Sequence, residues 1–202
     1  MPPNNDGDPS FWIIAGPNGS GKSTAYSRTD VEGIAANFWI VNPDLLTARI
    51  QAAELLNLNS ANLTAVERLE RWLEATLRVH KSVGVETVLS TGKYQRLVEL
   101  AKSLHFSFRL IYVMLDDPEL NVARVRQRVS QGGHDVPPEK VVERYWRSLA
   151  QLPWFMEQAD AADIYDNSGA QPRLVGHKAE GQLVVSPRAP VNLLNALGLN
   201  AS

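Results

Sequence analysis

The sequence predicts an α/β fold in which a parallel sheet is flanked by helices. Four short apolar segments, at 11–15, 38–41, 85–89 and 108–115, have the composition of buried strands. Each is separated from the next by a segment with helical periodicity or good helix formers, and this alternation is typical of parallel sheets. We expect residues 1–10, rich in Pro and Asn, to be a disordered N terminus and 11–202 to form a single domain.

The helices and the remaining strands follow from periodicity and caps. The longest helix is expected from about 62 to 82, with Gly84 ending it. Asp117 and Pro118 open another helix that continues to 128, and a further helix covers 141–149. A last strand at 163–165 and a terminal hairpin at 174–177 and 183–185 complete the pattern. The apolar stripe of the longest helix is predicted to comprise Leu63, Val66, Leu69, Trp72, Leu73, Leu77 and Val79.

The composition disfavours nucleic acid and membrane surfaces as binding partners. The formal charge of −2 and the 21% of charged residues provide no basic stripe for nucleic acid or for a membrane surface. The chain has no cysteine, no N-terminal signal pattern and no apolar segment near 18 residues. We therefore expect a cytoplasmic protein that acts on a small molecule.

One segment fits the phosphate-binding pattern G-x-x-x-x-G-K-[ST], and it lies between a predicted strand and a predicted helix, as that motif requires. Glycines let the backbone turn its N–H groups towards phosphates at the positive end of the helix. The predicted ligand is ATP with Mg²⁺, where the lysine reaches the β- and γ-phosphates and Ser23 binds the metal. The segment comprises Gly16, Pro17, Asn18, Gly19, Ser20, Gly21, Lys22, Ser23 and Thr24.

Two carboxylates are candidates for chemistry beside this loop. Asp44 follows the strand at 38–41, at the sheet edge where α/β folds bind ligands, and it could accept a proton from an attacking hydroxyl. It could equally be a helix first-turn residue after Asn42 and Pro43. Glu86 lies in an apolar strand and is a candidate for Mg²⁺ or a substrate hydroxyl, unless it stands at the exposed start of that strand.

Cationic side chains surround Gly132 and Gly133 in a segment, about 129–148, that we expect to form a lid. Arginines on both sides of these glycines could close over the phosphates, where such side chains stabilise the transferring group. Arg128 and Arg144 are the first candidates, with Arg147 next, and His134 is expected to contact ligand from the lid.

Taken together, the phosphate loop, Asn42-Pro43-Asp44, Glu86-Thr87-Val88-Leu89-Ser90 and the segment from Arg128 to Ser148 resemble the zeta-toxin family over about residues 11–170. The resemblance is closest to a short chromosomal branch with a Gly-Gly-His-x-Val-Pro lid. It implies an adenylate-kinase-type phosphotransferase that acts on a hydroxyl of a small metabolite, with an antitoxin as a candidate partner. The zeta toxins that have been studied phosphorylate UDP-N-acetylglucosamine. By this analogy Lys22 binds phosphate, Asp44 is the base, and Arg128 and Arg144 close on the γ-phosphate. It also implies that Glu86, Ser90, His134 and Arg147 contact substrate. Val88 departs from the pattern, because the sugar-binding toxins have threonine there.

Two classes of function remain open on the sequence. The first is a small-molecule kinase, and the second is a nucleotide-gated regulatory ATPase without an acceptor. Asp44 discriminates between them, because a switch needs a group that positions water but no general base beside an acceptor pocket.

Overall fold

The computed structural model describes residues 8–22, 39–133 and 135–199, and the bounds of its elements follow the predicted order. The strands are β1 (Ser10–Ala15), β2 (Trp39–Val41), β3 (Val83–Thr87), β4 (Ser107–Met114), β5 (Ala161–Asp166), β6 (Arg173–Ala179) and β7 (Gln182–Val185). The helices are α1 (Pro43–Glu54), α2 (Leu58–Arg78), α3 (Gln95–Ser103), α4 (Pro118–Ser130), α5 (Pro138–Gln158) and α6 (Val191–Ala196).

All seven strands form one sheet in the order β2-β3-β1-β4-β5-β6-β7. The first five are parallel, and β6 and β7 add an antiparallel hairpin at one edge. The predicted mostly parallel sheet and the predicted terminal hairpin are therefore confirmed. β1 lies between β3 and β4, with Ile13 opposite Val85 on one side and Leu110 on the other. This central position brings the end of β1 close to the ends of both neighbours.

The two faces of β1 contribute to different apolar clusters because successive side chains point to opposite faces of a sheet. Phe11 and Ile13 join the large core formed with α2, α3, α5 and α6. Trp12 and Ile14 join a smaller cluster with Ile111 and Val113 on the other face. The strand is buried on both faces, which explains why its sequence is continuously apolar.

The longest predicted helix is shifted along the chain in the structure. α2 begins at Leu58 after the Asn57 cap and ends at Arg78, four residues earlier than expected. Gly84 does not end it; it lies within β3, opposite Trp12 of β1. The buried stripe is Ala61, Ala65, Leu69, Leu73 and Leu77. Three members of the predicted stripe are exposed instead, namely Leu63, Trp72 and Val79.

Other boundaries differ because caps and packing extend the elements. α5 starts at Pro138 rather than 141 and continues to Gln158, since its residues up to Phe155 and Met156 pack into the core. α3 and α6 come in addition to the predicted helices. α1 begins after Asn42, whose side chain accepts a hydrogen bond from the backbone N–H of Asp44 at 2.9 Å. Among the described residues, no helix is both long and apolar enough to cross a membrane.

The two glycines of the predicted lid lie at the end of α4. Gly132 has φ +86°, and the N–H of Gly133 donates to the carbonyl of Arg128 at 3.0 Å, as in a helix C-terminal turn. Val136 then returns into the core and packs with Val125 and Val141. The segment is therefore anchored on both sides of the glycines, and its opening and closing stays a prediction.

The burial pattern of α2 generates a test with a control in the same helix. Replacing Leu73, which is fully buried, with alanine should lower the free energy of unfolding by about 2–5 kcal/mol, because a cavity forms in the core. Leu63→Ala removes the same atoms from a side chain that is 67% exposed and should change it by less than about 0.5 kcal/mol. Denaturant unfolding of both variants measures this, and equal losses would contradict the observed phase of α2.

Candidate functional site

The predicted phosphate loop follows β1 directly, and its backbone has the conformation that the glycines permit. Gly16, Gly19 and Gly21 have φ values of +145°, +75° and +84°. A Cβ atom on Gly16 would lie 1.9 Å from the carbonyl oxygen of Val113, and one on Gly19 would lie 2.7 Å from that of Asn121. Glycine is therefore required at both positions because the backbone of β4 and α4 approaches so closely.

Lys22 is held against the loop that it follows. Its side chain is 8% exposed, and Nζ donates to the carbonyl oxygens of Gly16 at 2.8 Å and Pro17 at 3.2 Å. The hydroxyl of Ser20 is buried and has no hydrogen-bond partner among the described residues. The ammonium and this hydroxyl are thus donors placed inside the loop, where phosphate oxygens can accept from them. Ser23 and Thr24, predicted to bind the metal and nucleotide, lie outside the described residues.

Two asparagines that were not among the predicted site residues donate hydrogen bonds to backbone carbonyls of the loop. Asn121 of α4 donates to the carbonyl of Asn18 at 2.7 Å, and Asn167 donates to the carbonyl of Ser20 at 2.8 Å. Arg124 in turn donates to the carbonyl of Asn167 at 2.8 Å. The sequence carried a signal for Asn167, since it follows the last parallel strand and so lies at the carboxyl edge of the sheet.

A cavity of about 500 Å³ opens beside the loop, within the range of small-molecule sites. It brings together Lys22, Glu86 and Arg128, as predicted from the sequence, with polar groups from α4 and from the segment after β5. Its lining comprises Gly19, Gly21, Lys22, Glu86, Arg124, Gln127, Arg128, Gln131, Asn167, Gly169 and Ala170.

Glu86 is the fourth residue of β3 and is 8% exposed. The alternative that it stands at the exposed start of its strand is therefore wrong, because β3 begins at Val83 and Glu86 lies near the carboxyl end. Gly16, the first residue of the loop, donates its N–H to the carbonyl of the next residue, Thr87, at 3.2 Å. Glu86 is thus held at the edge from which the loop begins.

The causes of the pKa shift of Lys22 identify the charged groups near it. Burial lowers the pKa of Lys22, the carboxylates of Glu86 and Asp44 oppose this lowering, and Arg128 adds to it. These four side chains therefore share one electrostatic environment. Asp44 reaches it from the first turn of α1 and makes no ion pair or hydrogen bond through its carboxylate within the described part of the chain.

The remaining predicted residues lie at different distances from the loop. Arg144 of α5 reaches it, with its guanidinium 3.5 Å from the side-chain oxygen of Asn18. Arg147 pairs with Glu143 at 2.6 Å with both side chains largely exposed, and it does not line the cavity. Ser90 is half-buried in the segment after β3, and His134 lies outside the described residues.

Comparison with known proteins agrees with this geometry. The family model AAA_33, an AAA domain, matches residues 11–152, which include the loop, both carboxylates and both arginines of the site. The chain belongs to this family. A protein of uncharacterised function from Haemophilus influenzae is 28% identical over 143 residues, covering 67% of this chain and 96% of that protein.

Two similar solved structures come from protein complexes. A chain of the AvrRxo1-ORF1:AvrRxo1-ORF2 structure with ATP has a TM-score of 0.67 at 17% identity and covers 92% of this chain. The present chain spans 66% of that protein, just under two thirds of its length. A chain from the PezAT chromosomal toxin–antitoxin system of Streptococcus pneumoniae has a TM-score of 0.65 at 15% identity, covering all of this chain and 83% of that one. These similarities establish that the fold is shared with both proteins.

The hydrogen bond from Asn167 to the loop generates a prediction for nucleotide binding. Asn167→Ala leaves the Ser20 carbonyl unsatisfied and frees the loop, so ATP affinity should fall about tenfold. The matched control is Asn195→Ala, an exposed residue of α6. Calorimetric titration with ATP and Mg²⁺ measures both. A variant that loses thermal stability but binds ATP with unchanged affinity per folded molecule would limit Asn167 to a structural role.

Proposed function

We propose that the protein is a kinase that transfers the γ-phosphate of ATP to a hydroxyl of a small metabolite. The observation that carries the proposal is the position of Asp44, whose carboxylate acts on the buried Lys22 and makes no ion pair with any other described residue. Nucleotide binding alone requires the loop and its lysine. A carboxylate near that lysine is the additional group that transfer to a hydroxyl requires.

ATP fits the residues of the loop. The positive-φ glycines, the Lys22 ammonium and the unpartnered Ser20 hydroxyl supply donors to phosphate oxygens. When bound, Mg²⁺ would neutralise charge on the β- and γ-phosphates, and Ser23 is the residue that we propose holds it. Lys22 would exchange the carbonyls of Gly16 and Pro17 for phosphate oxygens as the nucleotide enters.

In the proposed reaction, Asp44 accepts the proton of the acceptor hydroxyl as its oxygen attacks the γ-phosphorus. The new bond joins this oxygen to phosphorus, the bond from phosphorus to the β–γ bridging oxygen breaks, and ADP leaves. Arg128 from the cavity wall and Arg144 beside Asn18 supply positive charge to the transferring group. Arg128 lies in α4 and Arg144 in α5, the helices on either side of the glycine turn. Movement of the proposed lid, residues 129–148, would therefore change the positions of both guanidinium groups.

For the acceptor we propose a hydroxylated metabolite of the class represented by UDP-N-acetylglucosamine, with Glu86 accepting from one of its hydroxyls. The resemblance to zeta toxins and the fold shared with a chain of the PezAT system support this proposal. Two of the similar structures carry partner proteins in their names, and we accordingly propose that a cytoplasmic antitoxin-like protein binds this chain. Ser90, in the segment that follows β3, is expected to contact the acceptor, together with His134 and Arg147 from the lid.

The role of Asp44 generates the direct test. Asp44→Asn preserves size and the first turn of α1 but removes the basic carboxylate, so transfer from γ-labelled ATP to UDP-N-acetylglucosamine should fall by about 10²–10⁴. Glu119→Gln is the matched control, because Glu119 is also an acidic first-turn residue, here of α4. It should retain transfer.

The outcomes separate the candidate functions. Loss of thermal stability in Asp44→Asn with full activity per folded molecule would reduce Asp44 to a first-turn residue that interacts with the helix dipole. Release of all label as inorganic phosphate by the unaltered protein, with no acceptor labelled, would favour the regulatory ATPase.

A further inference from the structure

A polar cluster lies near the carboxyl ends of β2 and β3, which are neighbours in the sheet. It consists of Asp44 at the start of α1, Glu70 in α2, and Lys93 and Tyr94 in the segment that leads from β3 into α3. The backbone turns sharply there, with Leu89 at φ +59° and its N–H donating to the Thr87 hydroxyl at 3.1 Å. This turn carries the chain back across the carboxyl edge of the sheet before α3 begins.

The ammonium of Lys93 is held over an aromatic ring. Its Nζ lies 4.6 Å from the centroid of the Tyr94 ring, a cation–π distance. Tyr94 itself is 1% exposed, and within the described part of the chain its buried hydroxyl has no hydrogen-bond partner. The ring is therefore a fixed support, whereas the ammonium above it keeps donors that the described residues do not satisfy.

The carboxylates of Glu70 and Asp44 affect the pKa of both Lys93 and Tyr94. Burial lowers the pKa of Lys93, and Glu70 and Asp44 oppose this lowering. Burial raises the pKa of Tyr94, and the same two carboxylates raise it further. No nitrogen–oxygen distance of 4 Å or less joins Lys93 to either carboxylate. The ammonium of Lys93 therefore remains able to donate hydrogen bonds to a ligand at this edge of the sheet.

Asp44 and Lys93 lie at the same edge of the sheet, because Asp44 follows β2, Lys93 follows β3, and these two strands are neighbours. Asp44 acts electrostatically on Lys22, at the phosphate loop, and also on Lys93. An acceptor whose hydroxyl reaches Asp44 can therefore extend to the ammonium of Lys93, which is exposed at this edge. An anionic group of that acceptor would accept hydrogen bonds from the ammonium, whereas a neutral sugar offers it no opposite charge.

We propose that Lys93, supported by the ring of Tyr94, binds an anionic group of the acceptor, so that the substrates are hydroxylated compounds that also carry a phosphate or a carboxylate. Glu70 accepts from hydroxyls of the same molecule. This inference rests on the proposed kinase function, and it makes Lys93 a residue that determines specificity. A sugar phosphate, a sugar acid and a nucleotide sugar all meet the requirement, whereas a neutral sugar does not.

Matched acceptor pairs test the specificity. Transfer of label from γ-labelled ATP is compared for glucose with glucose 6-phosphate, glucose with gluconate, and N-acetylglucosamine with its UDP conjugate. In at least one pair the anionic member should have the higher kcat/KM. Lys93→Met should lower the ratio of anionic to neutral kcat/KM about tenfold, mainly through KM, as expected when one charged hydrogen bond is lost. Lys93→Arg should restore part of that ratio.

The matched control is Lys81→Met, because Lys81 is an exposed lysine just before β3, at the opposite end of the strand. It should keep the ratio of the unaltered protein. A preference for the neutral member in every labelled pair, or an unchanged ratio in a folded Lys93→Met variant, would overturn the proposal.

A binding measurement separates this proposal from the kinase function. The protein is saturated with Mg²⁺ and a nonhydrolysable ATP analogue, so that the phosphate loop is filled, and is then titrated with inorganic phosphate or with acetate. The lysine ε-methylene resonance that is missing in Lys93→Met should shift saturably with at least one of the two anions, and it should do so in Lys81→Met as well. A saturable shift without transfer to any acceptor would support the anion site while contradicting the kinase proposal. No saturable shift with either anion would overturn the anion site.

Discussion

The close approach of the Gly16–Lys22 loop to the elements behind it is the constraint on which the rest of the structure depends. The carbonyls of Val113 and Asn121 lie where a Cβ of Gly16 or Gly19 would be, and Asn167 holds the Ser20 carbonyl. This packing requires β1 in the centre of the sheet, next to β4 and followed in order by β5. Replacement of either glycine would therefore disturb both the loop and the strand or helix that contacts it.

Different elements surround the loop on its two sides. α4, α5 and the segment after β5 supply Arg128, Arg144 and Asn167. α1, α2 and the segment after β3 carry the groups that we propose meet the acceptor, and Asp44 among them acts electrostatically on Lys22. Under this proposal the acceptor-binding residues can change in sequence without altering the loop. The family match and the shared fold concern the common framework, and we propose that substrate choice depends on residues such as Glu86 and Lys93.

The sequence predicted what depends on contiguous residues and missed what depends on tertiary contacts. The phosphate loop, the cap at Asp117 and the parallel sheet each follow from residues that are close together in the sequence, and the fold confirms them. The predicted buried face of α2 was partly wrong. Leu63 and Trp72 are apolar but exposed, and the small residues Ala61 and Ala65 lie on the buried face instead. Asn167 supports a loop almost 150 residues earlier in the chain. Its place after β5 indicates the edge of the sheet at which it lies, but no local pattern shows which carbonyl it contacts. Likewise, Asp44 and Lys93 lie at the same edge only because β2 and β3 are neighbours in the sheet.

We propose that the γ-phosphate leaves the site on a hydroxylated metabolite and not on water. The distribution of label shows which of the two occurs: the protein is incubated with γ-labelled ATP, Mg²⁺ and a metabolite extract, and all phosphorylated products are identified by mass spectrometry. We expect a substantial share of the label consumed to appear on one small hydroxylated compound that carries an anionic group, and we expect Asp44→Asn to remove this product. Recovery of all the label as inorganic phosphate, at a rate that Asp44→Asn leaves unchanged, would contradict this proposal.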